Sequence, residues 1–92
     1  MIELYQTEWC PYSSRVRQRL TELGVAFVAR PVAPDRDQRE DMRAATGTDS
    51  IPTLVVDGEI VAGDTGELLA YLDRRFAEPP QAEGHRRQAA AH

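Results

Sequence analysis

The chain has one cysteine, two histidines and no lysine at all, and each scarcity removes a class of chemistry. Without lysine there is no Schiff-base catalysis; all 11 basic residues are arginine. His85 and His92 lie in a polar C-terminal stretch far in sequence from Cys10, which argues against both a Cys–His nucleophile pair and a zinc cluster. No apolar stretch approaches the ~20 residues that a membrane span needs. The start, Met1-Ile2-Glu3-Leu4-Tyr5, has no basic region ahead of an apolar one, so no signal peptide is expected. A net charge of −4 disfavours binding to nucleic-acid phosphates. The expectation is a cytoplasmic protein, a monomer, whose lone thiol stays reduced. Ninety-two residues make one domain, and 41% apolar residues suffice for a modest core.

What is present centres on Cys10-Pro11-Tyr12-Ser13. The segment follows a short apolar run and opens a helical pattern. Unpaired N–H groups and the positive end of the helix dipole favour an anion there, and the thiolate is the reacting form of cysteine. A cysteine three residues on would make a dithiol, but that residue is Ser13. Any redox chemistry therefore runs through one sulfur and a thiol from outside.

Ile2 to Gln6 reads as a strand. Pro11 to Leu23 reads as a helix, with proline in the first turn, Val16, Leu20 and Leu23 on one face and Gly24 as its stop. Ala26 to Val32 suits a second strand. Asp35 is expected to cap a polar helix from about Arg36 to Thr46, with Met42 and Ala45 as a thin apolar face and Gly47 at its end. Thr53–Val56 and Glu59–Ala62 flank Asp57-Gly58, a strong hairpin signal. Asp64 or Thr65 caps a last helix carrying Leu68, Leu69, Leu72 and Phe76. The domain thus spans residues 1–76. From Ala77 onward, Pro79-Pro80, Gly84 and an alanine-rich end predict a disordered polar tail over 77–92, with no helical second domain. The order β-α-β-α-β-β-α predicts an α/β fold: a four-stranded mixed sheet with helices on both faces.

Cys10-Pro11-Tyr12-Ser13, Ser50-Ile51-Pro52-Thr53 and Ala62-Gly63-Asp64-Thr65, at these spacings, resemble the glutaredoxin family of the thioredoxin-like fold. The chain is also similar to the N-terminal domain of glutathione S-transferases, and the likeness runs from about Ile2 to Phe76. It implies that Cys10 is the nucleophile and that Pro52 is a cis proline facing it. It further implies that Ile51 offers backbone hydrogen bonds to a bound thiol tripeptide and that Tyr12 lines the groove. Gly63, Asp64 and Thr65 match the segment that holds the γ-glutamyl end of glutathione, where a helix N-terminus accepts a carboxylate. Read without the family, Pro52 is a loop proline before a strand, and Asp64 and Thr65 are an N-cap. The resemblance implies no tightly bound cofactor; glutathione or another low-molecular-weight thiol is the co-substrate, and disulfide-bearing or glutathionylated proteins are the partners.

This sequence departs from the family in two places. Many glutaredoxins carry a cation three residues before the cysteine; here Thr7 stands there, and Glu8 beside it opposes thiolate formation. Arg15, Arg39 and Arg43 are candidates to compensate, though a solvated helix face is the better reading of each one singly. Ser13 is the second departure: it blocks a dithiol route, and its hydroxyl is placed to donate to the Cys10 thiolate or to serve only as a first-turn residue. Trp9 reads as a wall beside the sulfur or as an apolar anchor. The spacing from Cys10 to the following arginines does not fit a phosphatase loop. A monothiol oxidoreductase is the leading expectation and a thiol-binding module with little turnover the alternative. An iron–sulfur carrier is a further one, disfavoured by Pro11 where such relatives have glycine.

Overall fold

A computed structural model describes residues 1–91; His92 lies outside the described residues. Four strands, β1 (Ile2–Gln6), β2 (Val28–Pro31), β3 (Thr53–Val56) and β4 (Glu59–Val61), form one sheet in the order β2-β1-β3-β4. β1 runs parallel to β2 and antiparallel to β3, and β3 and β4 form a hairpin, so the sheet is mixed as expected. Asp57 and Gly58 both adopt positive φ (50° and 86°), the backbone that a two-residue turn between twisted strands requires. The fold is thioredoxin-like, with helices on both sheet faces.

Alternation along β1 decides what each face receives. Ile2 and Leu4 point to the face covered by α1 (Pro11–Glu22) and α3 (Thr65–Arg75). There Val16, Leu20, Leu23, Leu54, Val56, Leu68 and Leu72 join them in one buried cluster. Burying each such side chain contributes about 1.5–3 kcal/mol, so this face carries most of the stability. Gly24, at φ 69°, ends α1 where a side chain would be strained.

Glu3 and Tyr5 point the other way, toward α2 (Glu40–Thr46), which buries Met42 and Thr46 while Ala45 stays exposed. The helix expected from Arg36 is broken: a single 3₁₀ turn, Arg36–Gln38, precedes α2, and Arg39 between them leaves helical geometry (φ −96°, ψ 44°). Asp35 makes no side-chain cap, so that expectation is corrected. Arg39 is the physical reason. Its guanidinium folds back onto the carbonyls of Ala33, Pro34 and Asp49, at 2.8, 3.1 and 2.8 Å. β2 is shorter than expected, forms one edge of the sheet and is exposed at every residue. The space left between β2, Tyr5 and Met42 is a cleft of about 510 Å³, lined by none of the residues around Cys10.

The tail differs from expectation as well. A fourth helix, α4 (Ala82–Ala91), follows Pro79 and Pro80 and lies against α1. Ala82 is wholly buried, and Arg86 pairs with Glu22, Glu78 and Glu83. Arg19 of α1 holds Glu22, Asp73 and Glu78 from the other side, which raises its own already high pKa further. Composition alone predicted disorder because these partners come from distant parts of the chain. Among the described residues, no helix is long and apolar enough to cross a membrane.

Candidate active site at the start of the first helix

Cys10 is the N-cap of α1. Its backbone is extended (φ −72°, ψ 117°), and Pro11 occupies the first helical position, where no amide hydrogen is needed. The sulfur accepts a hydrogen bond from the Ser13 N–H at 3.4 Å, in the place where serine or aspartate oxygen usually caps a helix. Partial burial pushes the thiol's pKa up. The Ser13 hydroxyl, the Ser13 and Tyr12 N–H groups and the Arg17 charge outweigh that effect and hold it below the ordinary cysteine value. Ser13 itself is sealed from solvent, and its Oγ makes no hydrogen bond that satisfies distance and angle. Trp9 and Tyr12, which flank Cys10 in sequence, are by contrast exposed (75% and 56%), so Trp9 is no core anchor.

The loop before β3 reaches the same end of the sheet. The antiparallel register of β1 and β3 ends at Tyr5–Thr53, so Pro52 and Ile51 continue past the edge beside Gln6 and Thr7, the residues that lead to Cys10. The Ile51–Pro52 peptide is cis. Thr53 is buried and its hydroxyl donates to the Ser50 carbonyl at 2.7 Å, closing the loop, while Ile51 lies outside the strand ladder. Ahead of it, Thr48 Oγ1 accepts from the Ser50 N–H at 3.1 Å, and Asp49 is gripped by Arg36 and Arg43. Those guanidinium groups hold the Asp49 carboxyl below the usual carboxylate range. Arg39 and Arg43 are thereby committed to the fold, which corrects the expectation of solvated helix faces and leaves neither placed to compensate at Cys10. Arg15 is exposed on α1 and has no ion pair among the described residues.

α3 supplies the third part. Asp64 is its N-cap: Oδ1 accepts from the Glu67 N–H at 2.8 Å, and the Glu67 carboxylate accepts from the Asp64 N–H at 3.4 Å. This capping box stabilises the helix start and leaves the Thr65 and Gly66 N–H groups at its open end. Gly63 has φ 138°, and a Cβ there would come within 2.9 Å of Glu67 Oε2. Glycine at 63 is thus what allows the box to close. The cap reading of Asp64 is observed; it does not compete with a binding role, because only Oδ1 is engaged by the Glu67 N–H.

One cluster escaped the sequence reading. Gln6, Glu8 and Arg17 form a closed triangle over the β1–α1 turn. Arg17 Nη1 donates to Gln6 Oε1 and, at 3.2 Å, to the Thr7 carbonyl. Gln6 Nε2 donates to Glu8 Oε1 at 3.2 Å, and Arg17 Nη2 lies 3.6 Å from Glu8 Oε2. Glu8 therefore faces a cation rather than opposing the sulfur unchecked, which corrects that expectation. The spacing of Cys10, Ser13 and Arg17 on one helical face was the available signal.

Residues 4–80 match the family model of the glutathione S-transferase N-terminal domain. The chain is 33% identical over 63 residues to an uncharacterized glutaredoxin-like 8.6 kDa protein of the rubredoxin operon of Clostridium pasteurianum, covering 68% of this chain and 84% of that one. It is 32% identical over 79 residues to glutaredoxin 3 of Escherichia coli strain K12, covering 86% and 93% respectively. Among solved structures, a point mutant of the thioredoxin-like protein BC3987 superposes with a TM-score of 0.63 at 35% identity, over 78% of this chain and 97% of that one. A diazinon-metabolizing glutathione S-transferase of the silkworm Bombyx mori superposes with a TM-score of 0.70 at 25% identity, over 82% of this chain. This chain spans 38% of that transferase's length.

Proposed function

Because the chain belongs to the glutaredoxin family, whose fold the transferase N-terminal domains share, we propose that it is a monothiol disulfide oxidoreductase working through Cys10. The observation that carries this reading is the sulfur capping α1 beside a buried hydroxyl without a partner. An ionised sulfur is the acceptor that Ser13 Oγ lacks, so the arrangement favours thiolate over thiol.

The Cys10 thiolate attacks the glutathionyl sulfur of a mixed disulfide between glutathione and a protein or small molecule. The S–S bond breaks, the substrate leaves as a thiolate that takes a proton from water, and Cys10 becomes glutathionylated. A second glutathione thiolate attacks that adduct, giving glutathione disulfide and the Cys10 thiolate. In sum, one mixed disulfide and one glutathione thiol are converted to one substrate thiol and one glutathione disulfide. Exchange is fastest when the attacking thiol's pKa lies near ambient pH, which is the direction in which this site moves Cys10. The Ile51 backbone extends the sheet toward the tripeptide as an added strand would. The open N–H groups of α3 receive its γ-glutamyl carboxylate, Asp64 its ammonium, and Tyr12 covers one side. The reaction belongs in the cytoplasm, where free thiols are abundant.

The test is intact mass against time after mixing with glutathione disulfide, for wild type and Cys10→Ser, from pH 5 to 9. Adduct forming rapidly on wild type at neutral pH, and reversed by free glutathione, supports the reading. A rate that climbs only above pH 8 sinks it. A second reading, a thiol-binding module with little turnover, is favoured by the transferase-domain match over residues 4–80. It predicts glutathione binding that survives Cys10→Ser together with slow adduct formation on wild type.

A further inference from the structure

We propose that Arg17 is a positioning residue for Cys10, clasping the β1–α1 turn through Gln6, Thr7 and Glu8 and setting a fixed cation on the sulfur's face of α1. The inference deepens the monothiol reading and rests on Cys10 being the reacting group.

The geometry is specific to a guanidinium. One nitrogen reaches both Gln6 Oε1 and the Thr7 carbonyl, while a second faces Glu8. A planar fork presents several donors in fixed directions; a lysine ammonium is a single point and cannot span the three acceptors. Gln6 is almost wholly buried, so its amide is fixed, and its other end completes the ring by donating to Glu8. The three residues being held are those that connect β1 to Trp9 and Cys10, so the clasp sets where the sulfur sits relative to the helix N–H groups. The same residue answers the charge problem of the sequence. Thr7 leaves no cation before the cysteine, and Glu8 adds an anion. Arg17 comes from the C-terminal side instead, i+7 from Cys10 and i+4 from Ser13, and neutralises Glu8 on the way. The Arg17 side chain is about one-fifth exposed, against nearly three-quarters for that of Glu8, so the cation belongs to the less solvated member of the pair. The charge acting on the sulfur is Arg17, which Glu8 pairs with in turn, and the Ser13 hydroxyl is the polar neighbour from α1.

The experiment is the pH dependence of Cys10 alkylation by iodoacetamide, read by intact mass, for wild type, Arg17→Met, Arg17→Lys and Glu8→Gln. This probe needs no glutathione site. Removing the cation should raise the midpoint by about half a pH unit or more, whereas removing Glu8 should lower it by a smaller amount. Arg17→Lys should restore part of the shift, because it keeps the charge and loses the fork. Opposite signs for the Met and Gln variants distinguish this role from simple loosening of the turn, which would move both the same way. Glu8→Gln alters an exposed side chain and keeps the assay informative if Arg17→Met folds poorly. A wild-type midpoint lowered as expected, with the Met and Gln variants unshifted or shifted in the same direction, overturns the inference alone. A wild-type midpoint at the ordinary cysteine value overturns the monothiol reading itself.

Discussion

On one side of the sheet, Leu20, Leu54, Leu68 and Leu72 are sealed from water against one another. On the other side, Arg36, Arg39 and Arg43 tie the segment 33–37 to Asp49 by hydrogen bonds to carbonyls and to its carboxylate. The first region is held by area removed from water, which is non-directional and tolerant of small shifts. The second has few apolar side chains and an irregular backbone whose carbonyls need donors, and planar guanidinium groups supply them. The site draws on both. α1 and α3 present their N-termini because the apolar face fixes the helices, and the Ile51–Pro52 loop is presented because arginines fix its approach.

The largest effect that tests this contrast is Leu20→Ala. A fully buried leucine truncated to alanine costs about 2–5 kcal/mol, visible as a lower urea midpoint for the whole domain. Arg39→Met should cost about 2 kcal/mol, since hydrogen bonds made by charged groups are worth more than neutral ones. Its signature differs: hydrogen exchange should quicken over 33–39 and 47–52 while α1 and α3 keep their protection. Uniform loss of protection across all helices would break the contrast.

Ser13→Ala should separate stability from chemistry. Deleting a buried hydroxyl without a partner should leave stability unchanged or raise it by up to about 1 kcal/mol. Cys10 alkylation at pH 7 should slow about threefold or more, because the thiolate loses its donor. A destabilised variant with unchanged alkylation would overturn that assignment. The smallest effect is a pH dependence. A thiol acidified by folding contributes stability that is present above its unfolded pKa of about 8.5 and lost as pH falls through the folded value. Wild type should therefore gain on Cys10→Ala in thermal denaturation as pH rises between those two values, and then level off. A difference that is flat with pH would contradict a lowered folded pKa.

Much of this was legible locally. Asp57-Gly58 demanded its turn because two adjacent residues had to take positive φ, and the cap of the last helix was narrowed to Asp64 or Thr65 by neighbours alone, with Asp64 the one observed. Cys10-Pro11 announced a helix start for the same reason. What escaped depends on partners far away in sequence. α4 is ordered through Arg86 reaching Glu22, a pairing that composition does not encode. The break at Arg39 comes from its bond to the Asp49 carbonyl, ten residues on. Arginines that looked like solvated helix faces proved to be the scaffold, and Glu8, which looked hostile to the thiolate, is answered by a residue on the next element.

The serine at position 13 has a further consequence, one of time. With no second thiol in the chain, an adduct on Cys10 cannot be discharged from within. Its lifetime is the inverse of the exchange rate constant multiplied by the concentration of free thiol outside, so halving that pool doubles the wait. A dithiol site resets on its own schedule. Under the proposed monothiol cycle such a site keeps its surroundings' schedule, and the fraction of molecules carrying an adduct follows the ratio of disulfide to free thiol in those surroundings.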